Sequence, residues 1–300
     1  MLFVQHLING LTIGAVYALI AVGFSLVWAT LRSVNFAHGD LYMLGAYVAL
    51  GIGNVVAASA GGWHPALAVL VILLAAAVTG LIVSVGIERA IFRPLRRAPE
   101  AVPILATLGA SILIQNVVFL AFGSAFNSFP LSLPRGPFTI AGARANVMQV
   151  AMVGLAVLVI LGLHVFLGRT KLGTAMRATS WDREVAALMG VDVNRVIQVA
   201  FAIAGALAGA AGAFVGFYYG VITFFMGFLA AVKGFTAAVF GGFGNVRGAL
   251  LGGLLLGVFE ALAAGYVSGR WKDAIAFVVL ILIILVRPTG IIGERLPARV

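Results

Sequence analysis

Residues 168–195, GRTKLGTAMRATSWDREVAALMGVDVNR, form the longest polar interval in a chain that is otherwise mostly apolar. Five of the 19 Lys and Arg residues lie in it (Arg169, Lys171, Arg177, Arg183, Arg195), with three of the nine acids (Asp182, Glu184, Asp192). Long hydrophobic segments flank it on both sides, so it reads as a loop between membrane spans. Its basic character places it in the cytoplasm by the positive-inside rule. The middle of the loop reads as a helix. Thr179 or Ser180 can cap it, Asp182 and Glu184 fall in the first turn where the helix dipole favours negative charge, and Gly190 can end it. On that helix Trp181, Val185, Leu188 and Met189 recur at i, i+4, i+7 and i+8 and make one apolar stripe. Something must bury the stripe: its own bundle, the lipid interface, or a groove on a separate soluble subunit.

Composition sets the class. Hydrophobic residues are 63% of the chain and charged residues 9%, against about 25% charged in a soluble domain. A water-facing surface cannot be built from this mixture, so the chain is an all-α, polytopic membrane protein, expected as one transmembrane domain over residues 1–300. The net charge of +10 is spread through short interhelical loops, as membrane topology requires, and does not point to nucleic acid. Cysteine is absent, which removes disulfides, thiolate metal sites and cysteine nucleophiles. The N-terminus lacks the basic region of a cleavable signal peptide, and no lipidation motif is present.

Hydrophobic runs cover residues 7–31, 41–60, 66–87, 101–122, 147–167, 196–219, 224–241, 249–264 and 271–286. Each is read as a crossing of a hydrocarbon core about 30 Å thick. The expected bundle therefore has about eight to ten spans, nine by this count, some of them broken, with the N-terminus outside. The basic stretch 88–100 and the tail after 287 join 168–195 on the cytoplasmic side, whereas 123–146, rich in Pro, Gly and Ser, reads as an external loop. Gly205, Gly209, Gly212, Gly216 and Gly220 form a stripe suited to close helix packing.

No phosphate-binding loop, histidine cluster, nucleophile elbow or inward carboxylate pair is legible. The chain is expected to be no enzyme, to hold no metal and no cofactor, and to borrow any ATPase it uses. Two charges, Lys233 and Glu260, fall clearly inside spans, with Asp40 and Glu88 near span ends. Glu260 is either half of a structural pair with Lys233 or an ion relay, as in a secondary transporter or channel working alone. Two interruptions, Asn35-Phe36-Ala37-His38-Gly39 and Gly241-Gly242-Phe243-Gly244-Asn245, fall in corresponding halves. Such breaks either line a translocation pathway or are surface loops.

The segment Asn35–Gly39 resembles the "INFAHG" signature of the LivH-type permease subunits of branched-chain amino-acid ABC importers. Residues 10–19, Gly173 with Arg177-Ala178, Ala186 with Gly190-Val191, residues 233–242, and Arg287-Pro288-Thr289-Gly290 are similar to the same family. Glu184-x-Ala186-x-x-x-Gly190 is similar to the "EAA…G" coupling motif, with Val185 in place of the first alanine. The resemblance implies a coupling surface at Trp181, Glu184, Val185, Ala186, Leu188, Met189 and Gly190. It further implies ABC ATPase subunits that bind the ATP, a homologous second permease, a periplasmic solute-binding protein, and a bacterial inner membrane whose lipid surrounds the bundle. The solute is a branched-chain amino acid or a relative such as another amino acid, urea or an amide. Asn35, Phe36, His38, Gly39, Gly241, Gly242 and Asn245 are the expected pathway residues. ATP-driven closure of the partner is expected to push the 179–190 helix and rock the adjoining spans.

Overall fold

A computed structural model describes residues 2–59, 63–99, 101–130, 137–140, 143–287 and 289–293. Gly61 and Gly62 between the second and third runs, Pro288 of the closing motif, and Arg295 and Arg299 of the tail lie outside the described residues. Helices α1 (Leu2–Leu31), α2 (His38–Ala58) and α3 (Pro65–Ile87) come first. The last continues through a π-helical turn (Glu88–Phe92) into a short α4 (Arg93–Leu95). Next are α5 (Ala101–Phe122), α6 (Val147–Arg169), α7 (Lys171–Trp181), α8 (Arg183–Leu188) and α9 (Val193–Tyr219). The chain closes with α10 (Met226–Gly241), α11 (Val246–Tyr266) and α12 (Lys272–Val286). Among the described residues seven helices are long and apolar enough to cross a membrane, and α10, with 16 residues, is a shorter apolar helix. The basic stretch after residue 87 is thus partly a continuation of a span. The 123–146 segment holds short strands: β1 (Asn127–Ser128) pairs antiparallel with β4 (Val221–Ile222), and β2 (Pro137–Ile140) with β3 (Ala143–Asn146).

Helices α1 and α9 form the centre, with 18 and 16 buried residues respectively. The reason is composition. Along one face α9 carries only small residues, and in lipid helices gain most from close backbone approach. Gly205 packs on the backbone of Gly80 in α3, Gly209 on Ala76 of α3 and Gly45 of α2, and Gly212 on the carbonyl of Tyr42. A methyl group on Gly212 would collide with that carbonyl, so α2 and α9 fit only with glycine there. Gly220 ends α9 at φ 70°, the left-handed conformation that glycine adopts without cost. Gly10 and Gly14 of α1 pack in the same way on α11.

Contacts sort the loops onto two faces. On one, Arg32 meets the Ser180 carbonyl, Arg96 meets Asn194, and Arg247 meets His164. On the other, Gln5 exchanges hydrogen bonds with the Arg144 backbone, and Asn127 pairs with Ile222. The first is the basic face; the N-terminus lies on the opposite one. Helices α3, α5 and α6 turn apolar side chains such as Leu74, Ile82, Leu105, Leu120 and Leu158 outward, the pattern of helices bathed in lipid.

Candidate translocation site and coupling surface

The basic interval contains two helices where one was expected. Thr170 caps α7 by accepting from Gly173 N at 2.9 Å, and that helix runs on to Trp181. Asp182 is then the cap of α8, its Oδ1 accepting from Glu184 N at 2.8 Å and Val185 N at 3.1 Å. Thr179 and Ser180, expected as caps, are instead interior to α7 and turn their hydroxyls back to the carbonyls of Ala175 and Arg177. The correction has a simple cause: an aspartate can serve the first turn or the cap position, and the cap satisfies two orphan amides. Gly190, at φ 84°, ends α8, with Val191 N bonded to Ala186 O. Asp192 caps α9 through Arg195 N.

Ala186 is the one buried residue of α8. Trp181, Val185, Leu188 and Met189 are instead 73%, 55%, 86% and 81% exposed. Glu184 is exposed beside them. The Trp181 side chain belongs to α7, so the apolar surface spans a helix junction. Arg32, at φ 51°, donates to the Ser180 carbonyl at 2.7 Å. That carbonyl is one of the unsatisfied groups at the end of α7, where a cation is also favoured by the dipole. One guanidinium therefore ties the two-helix unit to the end of α1.

Beyond Arg32 the chain leaves helix until His38. Six extended residues reach about 20 Å, and the neighbours of α2 reveal how far they travel. The His38 ring lies on Gly23 and stacks edge-on to Phe24 at 4.7 Å. Gly23 is eight residues from the end of α1 (31 − 23), about 12 Å at 1.5 Å per residue. Helix α2 thus begins deep in the bundle. His38 and Gly39 are its first residues rather than part of the break, and Asp40, expected near a span end, lies near the middle. Glu88 is also fully buried, in the π turn, where Arg96 pairs with it.

Helix α10 begins deep as well. After β4 the segment 223–225 turns inward, and Gly227 and Ala231 pack on Gly39. The starts of α2 and α10 therefore meet inside the bundle, α2 running to one face and α10 to the other. A third element completes the seam. On apolar α5, Thr107, Ser111 and Gln115 recur at i, i+4 and i+8, and two of the helix's four buried residues are Thr107 and Ser111. Thr107 Oγ1 accepts from Phe36 N at 3.3 Å, and Gln115 Nε2 donates to Asp40 Oδ1 at 2.9 Å and lies 3.1 Å from Ser111 Oγ. Asn35 is buried, with Oδ1 accepting from Ala37 N. Sequence reasoning missed this polar stripe and the deep start of α10. The stripe's spacing was the readable signal.

Gly241, Gly242 and Asn245 occupy a different place, the turn between α10 and α11 on the basic face. Gly241 packs on Gly248, and Gly242 has φ 114°. Asn245 caps α11 through Arg247 N and Gly248 N, and its amide donates to Ile292 O at 3.2 Å. A ring series, Phe36–Phe235 at 6.3 Å, Phe235–Phe243 at 5.4 Å and Phe243–Trp28 at 4.7 Å, connects this turn to the Asn35 segment. Lys233 and Glu260 meet elsewhere in the bundle. Lys233 Nζ is 2.8 Å from Glu260 Oε1, 2.7 Å from Asp273 Oδ1 and 3.1 Å from the Tyr17 hydroxyl, which donates to Glu260 Oε2 at 2.8 Å. Among the described residues no group of three His, Cys, Asp or Glu is placed to hold a metal.

A multi-pass helical bundle with two helix starts meeting inside it, and an apolar surface held outside it on a basic loop, is the build of a membrane transport permease. The chain belongs to the family described as the branched-chain amino acid transport system permease component, whose model matches residues 6–284. Among its relatives is the high-affinity branched-chain amino acid transport system permease protein BraD of Pseudomonas aeruginosa. It is 41% identical over 97% of this chain and 96% of that protein. The corresponding LivH protein of Escherichia coli K12 is 38% identical, with the same coverage. A probable LivH protein of Methanocaldococcus jannaschii is 28% identical over 92% of this chain and 88% of its own length. No solved structure matches the chain.

Proposed function

We propose that this chain is the membrane permease subunit of an ABC importer for branched-chain amino acids or a closely related small solute. In this reading it sits in a bacterial inner membrane with its basic face in the cytoplasm. A periplasmic binding protein delivers the solute, a homologous second permease completes the pathway, and two ATPase subunits supply the energy. The observation that carries the reading is the row Trp181, Val185, Leu188 and Met189. Its side chains stand outside the bundle on the basic face, across the α7–α8 junction, with α7 tied by Arg32 to the end of α1. Apolar side chains this exposed on a short ordered helix suit a groove on a partner. ATPase closure moves α7 and α8 together, and Arg32 passes the displacement to the α1–α2 break.

The test is leucine uptake into proteoliposomes holding the purified complex, binding protein outside and ATP inside. Uptake that needs both ATP and the binding protein supports the reading. Uptake driven by an ion gradient without either would overturn it in favour of a carrier working alone. Within the same assay Arg32→Ala is expected to keep ATP hydrolysis while leucine uptake drops about tenfold, the size of losing a hydrogen bond from a charged donor. Arg32→Lys recovers part of it.

A further inference from the structure

Asp40 is 1% exposed and lies near the centre of the bundle. Its Oδ1 accepts from Gln115, while its Oδ2 is buried without a partner. Among the described residues no Lys, Arg or His forms an ion pair with it. A carboxyl group in this position is costly unless something compensates it. Part of the compensation is visible: Asp40 Oδ1 lies against the first turn of α10, 2.9 Å from where a Cβ on Gly227 would stand. No side chain caps that turn. A helix start favours negative charge, so α10 offsets part of the cost of a carboxylate at Asp40 while leaving Oδ2 open. On the non-helical segment just before α2 the Asn35 amide Nδ2 is also buried and unpartnered.

An open carboxylate oxygen and an open amide donor, where the starts of α2 and α10 meet, suit a guest that carries an ammonium and a carboxylate on one carbon. We propose that Asp40 receives the α-ammonium group of the transported amino acid midway across the membrane, with the Asn35 amide donating to its carboxylate. The inference rests on the importer reading above and deepens it. The binding protein selects the solute first, and Asp40 then admits zwitterionic amino acids and rejects neutral amides that lack the cation. Thr107, Ser111 and Gln115 of α5 supply polar steps on either side of that point. Gly39 and Gly227 are small because the two helix starts close on each other there: a Cβ on Gly227 would stand 2.8 Å from the Gly39 carbonyl oxygen.

The test uses the reconstituted complex with its binding protein, reading leucine uptake and leucine-stimulated ATP hydrolysis side by side. Asp40→Asn is expected to lower uptake about tenfold or more, the loss of a charged hydrogen bond, while stimulated hydrolysis persists. Asp40→Glu is expected to restore most of the uptake. Asp40→Asn with unchanged uptake overturns the proposal. So does loss of uptake and hydrolysis together in both variants, which would mark Asp40 as structural. If the unmodified complex takes up leucine on a proton gradient without ATP, the importer reading falls and this inference with it.

Discussion

Leu188→Asp is expected to abolish ATP-driven uptake while the protein still inserts and purifies as a folded bundle. Leu188 is 86% exposed and touches little in its own chain, so a carboxylate there costs the permease almost nothing by itself. The cost falls on the complex. An apolar anchor central to a groove contributes about 2 kcal/mol or more, and a charge left without water or partner adds to it. The ATPase should therefore be released, with uptake down by about 30-fold or more. Trp181→Asp should act in the same direction, since its ring continues the surface across the α7–α8 junction. The measurement is uptake alongside co-purification of the ATPase subunit. Ala186→Asp separates the two faces of the helix: Ala186 is buried against the bundle, and charge there should damage the permease itself.

Lys233→Met is the second large effect, and it acts on stability. The ammonium group holds Glu260, whose side chain is 4% exposed, and Asp273, 43% exposed. Removing one member of a buried pair costs about 3–5 kcal/mol, and the half-exposed Lys272, 3.7 Å from Glu260 Oε1, offsets only part of it. Solubilised protein should show a clearly lower thermal midpoint and reduced yield. The double replacement Lys233→Met with Glu260→Leu should recover most of the loss, because no buried charge then lacks a partner and Asp273 stays hydrated. Transport in the double variant also discriminates between mechanisms. An importer powered by ATP keeps working, whereas an ion-coupled carrier using Glu260 as its relay stops.

How much of this was legible in the chain differs from one element to the next. The apolar runs located the spans because a span must be nearly free of charge, and the small residues of α9 foretold its close packing. The apolar row was readable from its spacing, and only its division between two helices was hidden: Asp182 reads equally as a first-turn acid or a cap. Depth was not legible. Nothing in Arg32-Ser33-Val34-Asn35-Phe36-Ala37 says that these residues run inward from the face, so Asp40 looked like a span-end charge. Phe224-Phe225 is apolar and looked like the start of the run 224–241, although the inward turn after β4 occupies it. Thr107, Ser111 and Gln115 each look ordinary, since a helical hydroxyl can bond its own backbone, as Thr107 does to Ile104 O. Only their common spacing separates them from noise.

The central claim is that α8 and Trp181 dock a separate ATPase. A mild-detergent pull-down of the tagged chain from its native membrane, with the co-purifying proteins identified, tests it most directly. The account predicts an ATPase subunit and a second hydrophobic permease with the unmodified chain, and loss of the ATPase with Leu188→Asp. A chain that emerges without an ATPase, or one that keeps it equally well with Leu188→Asp, would contradict the assignment of that surface.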